Sequence, residues 1–86
     1  MRHPSLLPSL GDLAVLVAIG EHGGISAGAR ALGLAQPNAS RTLRRLEARF
    51  GLPLVRRGAR GSVLTDHGVL MADWARDVLR AAEHLE

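Results

Sequence analysis

Polar side chains that can contact the edge of a DNA base cluster between residues 36 and 41 of this 86-residue chain. They are Gln36, Asn38, Ser40 and Arg41. In the major groove, Gln or Asn can form two hydrogen bonds with adenine, and Arg can form two with guanine. A helix that begins near Gln36 would add free backbone N–H groups suited to a phosphate oxygen. The segment is therefore a candidate nucleic-acid contact.

Arginine is concentrated in the same part of the chain. All eleven formal positive side-chain charges are arginines, and eight of them lie between Arg30 and Arg60 with a single acid, Glu47. The rest of the chain has three arginines and seven acids, so the net charge of +3 conceals a strongly basic middle. This asymmetry indicates a polyanion as partner. On charge alone, an arginine-rich face that is merely solvated remains an alternative.

Other classes of function have little support in the sequence. The absence of cysteine excludes disulfides and thiolate metal sites, and the histidines are scattered without ligand spacing. No Ser, His and acid grouping suggests a nucleophile, and no glycine pattern suggests a phosphate cradle. No apolar run approaches the roughly 20 residues needed to span a bilayer. We expect a cytoplasmic protein with no enzyme activity, cofactor, metal site or membrane partner.

Apolar spacing predicts two helices in the first third of the chain. The first runs from about Leu10 to Glu21. Ser26 is a good N-cap for a short second helix that ends near Leu32. Gly33 can then adopt the positive φ that a sharp turn between helices requires.

A third helix is predicted over about residues 36–50. Pro37 falls in its first turn, where a missing N–H is tolerated. The apolar stripe faces inward and consists of Ala39, Leu43, Leu46 and Phe50. Beyond Gly51, short strands are predicted at residues 54–55 and 63–64, with a basic turn at 56–61 between them.

A last helix is predicted to begin after a cap at Thr65 or Asp66 and to run to the end of the chain. It has more apolar surface than a core of this size can cover, which favours pairing with a second copy of the chain. Trp74 would be the main contact residue of that interface, because tryptophan is enriched among interface hot spots. The predicted dimer interface consists of Leu70, Met71, Trp74, Val78 and Leu85. The alternative, that this stripe packs only on its own domain, stays open.

A short helix rich in small residues, a glycine-containing turn and a second helix describe a helix-turn-helix. Bulk at Ala29 would push the two helices apart. The second helix of such a pair projects its N-terminal residues into the major groove. An arginine-rich hairpin directly after it is well placed to reach the neighbouring minor groove or backbone, because a narrow groove attracts arginine.

Residues 24–41 resemble the signature of LysR-type bacterial transcription regulators, in which two alanines and a leucine precede a glutamine-proline and a serine-arginine pair. The match covers about residues 10–78 and continues through Leu43, Arg45, Leu46, Glu47, Phe50, Gly51, Leu54, Arg57, Arg60, Gly61, Leu64, Thr65 and Gly68. The resemblance implies a mainly α fold, a three-helix winged helix-turn-helix with a two-stranded hairpin and a long C-terminal dimerisation helix. We expect a flexible tail over residues 1–9, the DNA-binding domain over 10–65 and the dimerisation helix over 66–86.

The resemblance also implies roles for individual residues. Gln36, Pro37, Ser40 and Arg41 would contact bases and phosphates in the major groove, and Arg60 would enter the minor groove from a wing at about 56–62. Asn38, Arg44 and Arg57 complete the predicted DNA contacts. A dimer would bind an inverted-repeat operator in double-stranded DNA, and a small-molecule effector would act through a C-terminal domain absent here. The chain would then be a DNA-binding fragment or a short stand-alone regulator.

Several residues depart from the family pattern. Ala35 replaces a serine or threonine, so a helix cap and a phosphate contact are predicted to be lost. Gly28 replaces an alanine, which weakens the second helix by about 1 kcal/mol. Asn38 replaces a small residue, and we hypothesise that it contacts a base that relatives ignore.

Two other interpretations stay open at this point. A winged-helix module could serve only protein interaction or dimerisation, although residues 41–49 lack the acidic or apolar character this would require. The N-terminal domain of a molybdate-responsive regulator has a similar winged helix and dimer helix. The glutamine-proline and serine-arginine pairs favour the LysR type.

Overall fold

The computed structural model describes residues 8–59 and 61–84, which form four helices and one antiparallel hairpin. In chain order they are α1 Leu10–His22, α2 Ile25–Ala31, α3 Gln36–Phe50, β1 Val55–Gly58, β2 Gly61–Leu64 and α4 Asp66–Glu83. The predicted fold class, a mainly α winged helix-turn-helix followed by a long helix, is confirmed.

Helix α1 is the centre of the core. Ser9 is its N-cap, with a hydroxyl that accepts the Asp12 N–H at 3.0 Å, and Gly23 is its C-cap, with a φ of +83°. Six of its residues are buried, and α2, α3 and α4 all pack against it. Its burial on several sides explains why its apolar residues are not confined to one stripe.

The crossing of α1 and α2 depends on Gly28. A Cβ added there would lie 2.8 Å from the backbone nitrogen of Ile19 and 2.9 Å from its Cα. Ala29, the neighbouring small residue, is buried as its size predicted. Gly28 therefore allows the two backbones to approach closely, a packing role that outweighs its weak helix propensity.

The predicted N-cap of α2 is wrong. The helix begins at Ile25 with Gly24 at the N-cap position, and Ser26 lies exposed in the first turn. The first N–H is instead bound by a distant side chain, because Ser62 Oγ in β2 accepts the Ile25 N–H at 2.9 Å. A partner 37 residues further along the chain leaves no local signal in the sequence.

The turn into α3 follows the sequence prediction. Gly33 has a φ of +70°, and Ala35 occupies the N-cap of α3 without a side-chain hydrogen bond. Pro37 lies in the first turn, and Gly51 ends the helix with a φ of +70°. The inward face is formed by buried Ala39, Leu43 and Leu46, with Phe50 partly buried beside them.

The predicted basic turn is too long. Strand β1 continues to Gly58 and β2 already begins at Gly61, so that Arg56 and Arg57 lie in β1. Arg56 pairs with Val63, and Arg57 pairs with Ser62. We refer to residues 55–64 as the hairpin; Arg60 lies outside the described residues.

Helix α4 is fastened to the segment that precedes the hairpin. Thr65 Oγ1 accepts the Gly68 N–H at 3.0 Å and donates to the Pro53 carbonyl at 2.7 Å. A Cβ at Gly68 would lie 2.1 Å from the Leu54 carbonyl oxygen, so this approach requires glycine. Ala72 and Ala75 then face the core, and Ala75 packs with residues of α1.

Among the described residues, no single helix has both the length and the apolar composition to cross a membrane. Helices α1 and α2 reach both only when taken together, and they are bent by 116° at their junction.

Candidate nucleic-acid interface

The start of α3 presents the predicted polar residues to solvent. Gln36, Pro37, Asn38 and Arg41 are exposed, whereas Ser40 is half-buried. Ala39 lies behind them with no exposed surface and anchors this turn to the core. The segment is therefore free to contact a large partner without any change in the core.

These polar side chains are already paired with one another. Gln36 Nε2 donates to Ser40 Oγ at 2.9 Å, and the Arg41 guanidinium donates to Asn38 Oδ1. Each pair spans about one helical turn, so the two partners of a pair lie side by side on the surface of α3. The pairing reduces the freedom that these side chains would lose on binding.

Three of the four arginines of α3 are exposed, namely Arg41, Arg44 and Arg45. Arg45 forms an ion pair with Asp12 at 2.9 Å and so joins α3 to α1. Arg49, at the other end of the helix, is half-buried. The predicted DNA contacts Arg41 and Arg44 are therefore both exposed.

The hairpin register separates its two described arginines. Residues directly paired across antiparallel strands project to the same side, and successive residues alternate. Arg57 therefore lies on the side of Ser62, which contacts α2, and Arg56 lies on the opposite side with exposed Val63. Arg57 also lines a shallow depression together with Gln36 of α3. The hairpin and the start of α3 consequently share one surface.

Glu47 holds the hairpin to α3. Its Oε2 atom accepts the backbone N–H of Leu54 at 2.8 Å and that of Val55 at 3.3 Å. The other strand is joined to α2 through Ser62. In the sequence Glu47 stands out only as the one acid of a basic region and as part of the family pattern, because hydrogen bonds to a strand beyond the helix end have no local signature.

Arg30 is a further candidate that the sequence analysis missed. It is exposed in the last turn of α2, and it lines a depression shared with Ser26, Gly61 and Ser62. Its position between α2 and the hairpin could not be predicted before the hairpin was placed.

No group of three His, Asp or Glu side chains within residues 8–59 and 61–84 is positioned to hold a metal ion.

The predicted dimer residues of α4 do not share one environment. Leu70 and Trp74 are 67% and 45% exposed. Met71 and Val78 are half-buried and pack against the core of their own domain. Leu85 lies outside the described residues. The pairing of α4 with a second copy stays a prediction, with Leu70 and Trp74 as its most accessible residues.

Residues 10–69 match the model of the bacterial regulatory helix-turn-helix proteins of the lysR family. The chain belongs to this family. The LysR resemblance stated from the sequence is thereby confirmed, and the matched relatives are transcriptional regulators.

One relative of this LysR-family chain is an uncharacterised HTH-type transcriptional regulator of Mycobacterium tuberculosis. The two are 39% identical over 82 residues, which cover 95% of this chain and 26% of the relative. The chain thus spans about a quarter of the length of that protein.

Two solved structures show the same fold. The CbnR DBD in a complex with DNA has a TM-score of 0.83 and 33% identity, covering 88% of this chain and 87% of that one. The BenM DBD in a complex with catB site 1 DNA has a TM-score of 0.83 and 30% identity, covering 90% of this chain and 86% of that one.

Proposed function

We propose that this LysR-family chain is the DNA-binding part of a transcription regulator and binds an inverted-repeat operator as a homodimer. The observation that carries the proposal is the shared surface of the α3 N-terminus and the Arg57 side of the hairpin. In this proposal α3 enters the major groove with Gln36, Pro37 and Asn38 foremost. The hairpin lies over the adjacent minor groove, where Arg57 and Arg60 are the arginines proposed to contact DNA.

The charges of this surface favour a phosphate backbone. Arg30 in α2, Arg44 in α3 and Arg57 in β1 are exposed. Glu47, the one acid between residues 30 and 60, is directed toward β1 by its two backbone hydrogen bonds. Guanidinium groups gathered on one surface attract DNA and displace its counterions.

A dimer would place two such surfaces on one duplex. We propose that α4 pairs with α4 of a second copy through exposed Leu70 and Trp74. Met71, Val78 and Leu85 would flank them. Two α3 helices related by a twofold axis would contact half-sites about one helical turn apart, or a multiple of that spacing.

The remaining parts of the proposal concern the whole protein. A small-molecule effector would act only through a C-terminal domain outside these 86 residues. Because a bacterial operator lies in the cytoplasm, the chain would act there, and it would bind DNA without catalysing a reaction.

The salt dependence of binding tests this proposal. Three phosphate contacts from each of two subunits predict a slope of log K against log salt near −5, from roughly 0.9 per contact. Between 50 and 200 mM salt, affinity for a selected duplex should then fall by about a thousandfold, as measured by fluorescence anisotropy. An affinity that hardly changes over this interval would contradict the proposal.

A matched variant distinguishes surface position from total charge. Arg44→Ala should flatten the slope, because exposed Arg44 is one of the three arginines proposed to contact phosphate. Arg80→Ala removes the same charge from α4, where Arg80 lies 3.6 Å from Asp77, and should leave the slope nearly unchanged. Equal flattening in both variants would indicate binding by net charge rather than by this surface.

A further inference from the structure

The start of α3 carries two hydrogen-bonded pairs, and the pairing determines what each side chain can still offer a base. Gln36 donates to Ser40, and Arg41 donates to Asn38. Three of these four residues are exposed, and Ser40 is half-buried beside them. None of the four belongs to the buried core, to which α3 contributes Ala39, Leu43 and Leu46.

The contact with Arg41 fixes the orientation of the Asn38 side chain. A guanidinium group has N–H donors and no acceptor. It must therefore bind the carbonyl oxygen of Asn38, as the structure places it, and the amide NH2 is left to the other side. An asparagine that selects adenine uses both atoms, since its oxygen accepts from adenine N6 and its NH2 donates to N7. The oxygen keeps a second lone pair, but the guanidinium bound to it places positive N–H groups beside the site from which adenine N6 would donate, and this opposes the adenine pattern.

We infer that Asn38 and Arg41 act as one donor-only unit that selects guanine, and that Asn38 determines specificity partly by orienting Arg41. This inference rests on the proposed DNA-binding function. Guanine presents two acceptors, N7 and O6, in the major groove, whereas adenine presents an amino donor beside its N7. The NH2 group of Asn38 and the remaining guanidinium N–H groups of Arg41 match guanine and oppose a donor on adenine.

Gln36 has the reverse role in its own pair. It donates one N–H to Ser40, so its Oε1 atom stays available as an acceptor. The first turn of α3 can therefore accept a hydrogen bond from a base amino group, while the Asn38–Arg41 unit only donates. Gln36 is thus a natural comparison, because its loss should change selection at another base pair.

The test begins with selection of bound duplexes from a random pool by the intact 86-residue chain. The base pair contacted by Arg41 is identified as the position that loses selectivity in Arg41→Lys, which keeps the charge but removes the planar fork. We expect guanine there, and its replacement by adenine should weaken binding by about 5- to 150-fold, from 1–3 kcal/mol for a bidentate pair. Replacement by 7-deazaguanine, which lacks the N7 acceptor, should weaken it by about 2- to 12-fold.

Asn38→Ala tests the contribution of Asn38 itself. The ratio of affinities for guanine over adenine at this position should fall by about 2- to 12-fold, the range for one net hydrogen bond. Binding to unselected DNA should stay within about twofold, because no phosphate contact is removed. Gln36→Ala, the matched control, should keep the guanine preference at this position. Circular dichroism of each variant checks that the helices are intact.

Three results would overturn the inference. Adenine at this position, with its selection lost in Asn38→Ala, would mean that Asn38 contacts adenine with its own oxygen. An unchanged guanine preference in Asn38→Ala would mean that Arg41 does not depend on Asn38. Recovery of no common motif would refute the proposed function itself and, with it, this inference. This result is distinguishable from the other two, because both of those require a selected motif.

Discussion

Replacing Glu47 with alanine should release the hairpin from α3 while leaving α3 in place. The carboxylate accepts the backbone N–H groups of Leu54 and Val55 at 2.8 and 3.3 Å. Both of these residues are buried, so alanine would leave two N–H groups without an acceptor where water has little access. Helix α3 itself should be little affected, because alanine is a good helix former.

The magnitude follows from the two contacts. A hydrogen bond to a charged group contributes about 1.5–3 kcal/mol, and the contact to Val55 is longer than usual and weaker. Glu47→Ala should therefore lower the free energy of unfolding by about 2–4 kcal/mol. For a domain of this size this corresponds to a decrease in Tm of about 8–30 °C, measured by circular dichroism. Glu47→Gln keeps an oxygen acceptor and should lose only about 1 kcal/mol.

DNA binding should change in a selective way in the same variant. At a temperature where Glu47→Ala is still folded, its discrimination between AT-rich and GC-rich flanks should weaken, because the hairpin is no longer held beside α3. Its discrimination within the half-site should persist. The reasoning is refuted if Glu47→Ala unfolds within about 0.5 kcal/mol of the parent chain, the range of ordinary surface changes. It is also refuted if flank and half-site selectivity are lost to the same degree.

Three other substitutions test different parts of the molecule. Gly68→Ala should lower the free energy of unfolding by at least about 2 kcal/mol in urea, because the new Cβ would lie 2.1 Å from a backbone oxygen; unchanged unfolding would contradict this packing. Trp74→Ala should raise the dimer Kd by about 30-fold or more in analytical ultracentrifugation, the effect of a hot-spot residue, whereas Glu83→Ala on another face of α4 should not. Arg57→Ala should flatten the salt dependence of DNA affinity by about 0.9 per contact, and an equal effect of Arg56→Ala would contradict the assigned sides of the hairpin.

Much of α3 could be predicted from sequence because its limits depend on nearby residues. Pro37 fits only the first turn, and Gly51 ends the helix in a conformation that favours glycine. The spacing of Ala39 and Leu43 identifies the buried face. The exposed position of the candidate DNA contacts follows from that spacing, because the residues between the apolar ones must face away from the core.

The hairpin and the cap of α2 were predicted less well. The arginine pair at 56 and 57 indicates a loop when it is judged by composition, yet antiparallel pairing with Ser62 and Val63 makes it part of a strand. The same pairing brings Ser62 to the start of α2, where it replaces the predicted cap. Both errors have one cause, since the partner of each residue is remote in the chain.

The sequence by itself determined the helix-turn-helix, the polar start of α3 and the basic character of the middle of the chain. These properties depend on periodicity within a few turns, on single-residue backbone preferences and on charge. Only the tertiary structure decided that Glu47 and Ser62 hold the hairpin, that Gly28 and Gly68 allow close backbone approach, and that Arg57 rather than Arg56 lies on the side of α3. Each of these depends on the distance between atoms that are far apart in the chain, and folding alone brings them together.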